Sequence, residues 1–325
     1  MHYLRLRRTT CDGDPSVTKW RSLRLRHLLL LLPLVFIGLA EAWAQPTSTD
    51  FERFRTRIDE AVRSLGNDQR LKRIPPDRRE QLAEFVSGNM LFVLLHELGH
   101  AAIGQLDLPV LGKEEDAADS FASLTLIHIK SEFSEQVLAW AAKGWFMADR
   151  RDKKEGEPVV YYDEHGLNQV RAFQIVCYMV GADPVRFKDL AEETKLPKDR
   201  QESCGQDYRK AAKSWGVVLQ PHVRTADQPK TKIDAVYGDA KGKYEIAAQI
   251  ARSIRLLDGA AAQSSELVVW PAPFSLEMQT CGFINAKWDQ STRKLTLCYE
   301  LAEDFAELYR DYGIPRRESR ARKSR

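Results

Sequence analysis

The sequence predicts a mainly α-helical chain with a small β-sheet or hairpin, on three observations. Helical periodicity or helix-like charge patterning recurs from Phe51 to Leu257, proline and glycine interrupt it at helix-length intervals, and β-rich runs of strand length come only after residue 266. With 325 residues and 43 % hydrophobic content, the chain can bury a sizeable core as one large or two small domains. That excludes a fibrous or disordered chain.

The first segment, residues 27–40 (HLLLLLPLVFIGLA), is strongly apolar. It follows Arg21, Arg24 and Arg26 and leads to the A-x-A pattern Ala42-Trp43-Ala44. This predicts a signal peptide over residues 1–44; the alternative is an uncleaved amino-terminal anchor, against which the shortness of the apolar run argues. Phe51 to Leu65 reads as a helix. Pro75-Pro76-Asp77 opens another, from Asp77 to Gln105, that is apolar on most faces through Leu82, Phe85, Met90, Leu94, Leu98 and Ile103. Beyond a break at Leu108-Pro109-Val110-Leu111-Gly112, helices are expected over Glu114 to Ile129, Glu135 to Met147, Leu167 to Val180, Asp207 to Leu219 and Lys243 to Leu257. Gly181, Pro184, Pro221 and Gly259 are the expected breaks. Leu267 to Trp270 and Leu295 to Tyr299 read as strands, and Gly282 to Trp288 as a partner strand joined through an Asp289-Gln290-Ser291 turn. The tail from 313 to 325, densely basic from Arg316, is expected to be disordered and solvated.

Charge narrows the partners. The leader contains seven of the 49 basic and three of the 46 acidic residues, so the mature chain is near neutral and nucleic-acid binding gains no support. Export also changes the meaning of the cysteines. Cys11 leaves with the leader, and Cys177, Cys204, Cys281 and Cys298 remain, an even number in an oxidising compartment. The favoured pairing of the three possible is Cys177 with Cys204, closing the Asp183 to Gln201 loop onto a helix, and Cys281 with Cys298, bracketing the hairpin.

The chemistry lies in His96-Glu97-Leu98-Gly99-His100, within the long apolar helix. Two histidines four apart on a helix are separated by about 6 Å, so both imidazoles reach one metal ion, and Glu97 beside them can polarise a bound water. A core helix with histidines satisfied by backbone carbonyls is the competing reading. A catalytic zinc takes three protein ligands and leaves one position open. The third cannot come from a metzincin histidine, because Ile103 and Leu106 stand where that pattern needs Gly and His. Glu115 and Asp119, at i and i+4 on the next helix, offer a carboxylate ligand and an acceptor for the far nitrogen of a ligand histidine. Glu114 is the competing ligand candidate. Three acids in one helical first turn also complement the helix dipole without any metal. Ala117, Ala118 and Ala122 let this helix approach its neighbour closely. His165, flanked by Asp163 and Glu164, is a candidate donor to a reaction oxyanion. Tyr161 or Tyr162 can fill that role instead, or His165 packs in a helix cap formed by Asp163.

HELGH, LPVLGKEEDAADSFA (108–122), YYDEHGL (161–167) and TLCYEL (296–301) together resemble the bacterial putative metallopeptidases grouped as family 4344 of the domains of unknown function, over roughly residues 50 to 312. The resemblance implies a zincin-like fold of the glutamate-ligand type, with His96, His100 and Glu115 on zinc and Glu97 as general base. Zincins carry a small sheet whose edge strand aligns an extended peptide above the metal, and the carboxy-terminal hairpin is the candidate. The resulting expectation is one metallopeptidase-like domain over 45–312, periplasmic or secreted. It would be zinc-dependent and act on a peptide or protein substrate, with no nucleic acid and no stable membrane span once the leader is cleaved. The alternative is a non-catalytic, zinc-stabilised envelope protein that binds a partner.

Overall fold

One long helix, α1 (Pro76–Leu106), organises the rest of the chain. In the computed structural model, residues 56–63 and 74–313 are described, and they fall within one compact unit, Trp43–Arg325. Phe85 and Leu94 are fully buried in a core shared with the β-sheet, while Phe92 points into a second core formed by the helices that follow. A helix with apolar residues on most faces must be covered on both sides. α1 ends at Asp107 in the left-handed conformation, φ 52°, with its N–H on the Ile103 carbonyl.

The helical side comprises α2 (Glu114–Ile129), α3 (Glu132–Glu155), α4 (Asn168–Ala182), α5 (Lys188–Glu193) and α6 (Lys198–Leu219). α2 has the predicted ends. α3 is longer than predicted at both ends: Ser131 and Ser134 form a capping box at its start, and its charged last turns run to Gly156, where φ is 74°. Charged residues there carry no hydrophobic period, so a reading based on apolar spacing stops at Met147. The Asp183 to Gln201 segment, expected as a loop, contains α5 and the first turn of α6. Gly181 lies inside α4 rather than breaking it. A Cβ there would stand 2.3 Å from the Cys204 carbonyl oxygen, so glycine is what lets α4 and α6 cross. Pro221 does end α6, in a short 3₁₀ turn.

The sheet side holds β1 (Ile233–Tyr237), α7 (Glu245–Ile254), α8 (Leu256–Leu267), β2 (Phe274–Gln279), β3 (Ala286–Asp289), β4 (Lys294–Cys298) and α9 (Tyr299–Leu308). The strand order is β1-β2-β4-β3, parallel across β1, β2 and β4, with β3 antiparallel to β4 at one edge. The expected β3–β4 hairpin is present. The expected strand at Leu267 to Trp270 is not: Leu267 closes α8, and Val268 makes a single bridge to Val223. Gly259, an expected break, lies inside α8. The helix expected over Lys243 to Leu257 instead stops at Arg255, φ 56°, where the chain turns into α8. Strands β1 and β2 were missed; β2 alternates Phe274, Leu276 and Met278 into the core, a period-two signal that five or six residues state weakly.

Both expected disulfides are present, Cys177–Cys204 between α4 and α6 and Cys281–Cys298 between the approach to β3 and the end of β4. Closing loops of these sizes contributes about 3 to 4 kcal/mol each in the chain-entropy account. Replacing Cys281 and Cys298 by serine should lower unfolding stability by that order, read from denaturant midpoints together with a steeper slope, because the opened denatured chain exposes more surface. A loss below about 1 kcal/mol would mean that the hairpin is held by its packing alone. The expected leader (1–44), the expected tail beyond Gly313 and the parts of the expected Phe51 to Leu65 helix beyond 56–63 lie outside the described residues. Among the described residues no helix is long and apolar enough to cross a membrane.

Candidate metal centre

One turn of α1 carries the HELGH residues, and α2 packs directly across it. The crossing point is Gly99 against Ala118, where a Cβ on Gly99 would lie 3.0 Å from the Ala118 Cα and 3.3 Å from its Cβ. Such an approach needs a residue without a side chain on one helix and a small one on the other. It brings the first turn of α2, with Glu114, Glu115 and Asp116, over the imidazoles of α1.

The side chains then converge. His96 Nε2 lies 3.2 Å from His100 Nε2 and 3.1 Å from Glu115 Oε2; His100 Nε2 is 3.5 Å from Glu115 Oε1. Each imidazole has its other nitrogen on a carboxylate: His96 Nδ1 is 2.8 Å from Asp119 Oδ1, and His100 Nδ1 is 2.7 Å from Glu114 Oε1. A carboxylate accepts only, so each Nδ1 donates to its partner, and in the neutral tautomer this fixes each Nε2 as the nitrogen free to act as a ligand. Asp119 itself is held by Arg171 from α4, with Nε on Oδ2 and Nη2 on Oδ1, both at 2.7 Å.

Electrostatics follow the geometry. Burial opposes charging of His100, but hydrogen bonds to Glu115 and Glu114 prevail and push it up to about 9. For His96, burial again opposes, and Asp119 and Glu115 leave it above its ordinary value. Glu115 sits well below the usual carboxylate range despite burial, because His100, His165 and His96 all face it. Asp119 is drawn down to about 2 against its burial, by the Arg171 charge and the His96 hydrogen bond. Burial lifts the Glu97 carboxyl, with His96, His100 and the Trp288 main-chain N–H opposing.

These residues fit a metal ion. Tetrahedral zinc with ligands at about 2.0–2.1 Å spaces its donors about 3.3 Å apart, which is the spacing seen here. Glu115 Oε2 is buried and has no hydrogen bond of acceptable geometry, although two imidazole nitrogens lie near it. Two imidazole nitrogens and a carboxylate are the donors of a catalytic zinc site. Among the described residues one other cluster has ligand spacing, Cys281, Cys298 and Glu300, and its sulfurs are joined in a disulfide.

The cluster opens on a cavity of about 760 Å³. One wall is α1 with Glu97 and the α2 start with Lys113, Glu114 and Glu115; another is Ala286, Lys287 and Trp288 of edge strand β3; the third is the loop with Tyr162, Asp163, Glu164 and His165. Cys298 donates its N–H to the Asn285 carbonyl. By antiparallel alternation, the main-chain groups of Ala286 and Trp288 therefore face the free edge. The Trp288 N–H is the one that meets Glu97. The hairpin turn is tied back to α1 by Gln290, whose side-chain amide donates to the Gly104 carbonyl at 3.2 Å. His165 places Nε2 3.0 Å from Glu115 Oε2 and Nδ1 3.3 Å from Asp163 Oδ1.

The structure thus brings together His96, Glu97, His100, Glu115, Asp119 and His165. Glu114, weighed as a rival ligand, lies instead against the far side of His100. The cap alternative for His165 does not match the geometry: Asp163 accepts from the His165 N–H at 2.8 Å, and α4 has Leu167 as its N-cap, with no side-chain cap. Tyr161 and Tyr162 are largely exposed, and Tyr162 lines the cavity. Sequence reasoning missed Arg171 and Trp288; neither sits in a spacing motif, and only the packing of α4 and the register of β3 deliver them. The family described as putative metallopeptidase matches the chain over residues 55–219, a span that contains HELGH, Glu115 and Asp119 of α2, His165 and Arg171. The carboxy-terminal TLCYEL segment lies beyond that match. No curated protein and no solved structure matches the chain.

Proposed function

We propose, from the premise that the chain belongs to this family of putative metallopeptidases, that it is a zinc-dependent peptidase hydrolysing peptide bonds in peptide or protein substrates. The observation that carries the reading is the convergence of two imidazole Nε2 atoms and the Glu115 carboxylate, with each imidazole backed by its own carboxylate. His96, His100 and Glu115 would hold the ion. When bound, zinc supplies Lewis acidity that polarises the scissile carbonyl and lowers the pKa of a water toward neutrality.

Glu97 takes the proton from the attacking water and returns it to the departing nitrogen. Its burial and the Trp288 N–H keep the carboxylate aimed into the cavity. His165, whose Nε2 lies 3.0 Å from Glu115 Oε2, donates to the oxygen on which negative charge develops. An extended substrate pairs along the free edge of β3 at Ala286, which sets its scissile bond across Glu97. Two disulfides and the apolar leader support a periplasmic or secreted location, with 45–312 as one catalytic domain.

Incubation of the purified mature chain with labelled casein tests this. A chelator should abolish cleavage and added zinc should restore it. Cleavage indifferent to chelation would overturn the reading. Zinc that raises the melting temperature without turnover at any concentration would favour the non-catalytic envelope protein.

A further inference from the structure

Arg171, which no motif marks, touches three elements around the cluster. Its guanidinium grips Asp119 with two 2.7 Å hydrogen bonds, and its Cζ lies 3.8 Å from the ring centre of Trp145 on α3. The Asp119 oxygen that accepts from Nη2 also accepts from His96 Nδ1. Both partners of the fork are buried, Arg171 at 9 % and Asp119 at 7 % exposure. Gly166, directly after His165, passes over the arginine stem: a Cβ there would stand 3.6 Å from Arg171 Cγ.

We infer that Arg171 is a positioning residue for the metal site. It locks the Asp119 carboxylate, which sets the ring plane of His96, and it seats the loop that presents His165. The inference rests on the reading of His96 as a ligand. The terminal torsion of an aspartate is broad, so one hydrogen bond to an imidazole leaves the carboxylate free to rock. A planar two-pronged donor removes that freedom, and the Trp145 face beneath keeps the donor in place. A lysine would supply the charge without the fork. Arg171→Lys therefore separates geometry from neutralisation.

Zinc affinity, measured by competition with a chromophoric chelator, tests the role on the full mature chain. The set is wild type, Arg171→Lys, Arg171→Met, Asp119→Asn and the double variant Asp119→Asn/Arg171→Met. Arg171→Lys should bind zinc about 10- to 100-fold more weakly with unchanged far-ultraviolet dichroism. In the Asp119→Asn background, loss of Arg171 should change affinity by less than about threefold, because its effect passes through that carboxylate. Arg171→Met strands a buried charge and is the variant most prone to misfold; the lysine and double variants decide the matter if it does. Wild-type affinity in Arg171→Lys, or a double variant that shows the full sum of both losses, would overturn the role. A wild type that binds no zinc would instead refute the metal-site reading itself.

Discussion

Glu97→Gln is expected to bind zinc with wild-type affinity and to hydrolyse peptides about 10²- to 10⁴-fold more slowly, the range that general-base catalysis supplies. The amide has the same shape as the carboxylate and still accepts from the Trp288 N–H, but it cannot take a proton from water. Glu97 stands outside the cluster with ligand spacing, which contains His96, His100 and Glu115. Nothing in that cluster should move when its charge is removed. Zinc content by elemental analysis beside kcat on a fluorogenic peptide checks both halves. Hydrolysis within tenfold of wild type would remove Glu97 from the mechanism, and loss of zinc would show that its charge holds the ion.

The second large effect belongs to His100→Ala. Removing one of three donors should weaken zinc binding by more than about 100-fold, beyond the most that an orienting partner costs. Stability reports this independently of turnover. At a zinc concentration 100 times the wild-type Kd, the ion adds about 2.7 kcal/mol to the folded state, and a 100-fold weaker site keeps only about 0.4 kcal/mol by the same relation. The zinc-dependent rise in melting temperature should therefore nearly vanish, while the zinc-free variant folds like the wild type. His100 is only partly buried, and Glu114, left without it, reaches solvent at the cavity rim. A variant whose melting temperature still climbs with zinc would place the ion elsewhere.

Much of this centre is readable along the chain because its parts are local. HELGH puts two imidazoles on one helix face by spacing alone, and Glu115 with Asp119 repeats that logic one element later. The ends of α2 are equally local: an acidic first turn follows Lys113, and apolar residues run to Ile129. Glu114 shows the limit of such reasoning. Spacing offers it only as a rival ligand to Glu115, yet its carboxylate meets His100 Nδ1 across the helix crossing, a contact with no counterpart in helical spacing.

Sequence by itself determined the helical class and narrowed the candidates to two histidines, their neighbouring glutamate and the acidic residues of the next helix, with the favoured one of three cysteine pairings, since these depend on periodicity, spacing and residue chemistry. Tertiary structure alone decided that Gly99 admits Ala118 closely enough for donors from two helices to meet. It alone placed Arg171 beneath Asp119 and turned the Trp288 N–H toward Glu97. Such contacts join residues tens to hundreds of positions apart. Their distances are set by how whole helices and strands pack, and no short window of residues carries that information.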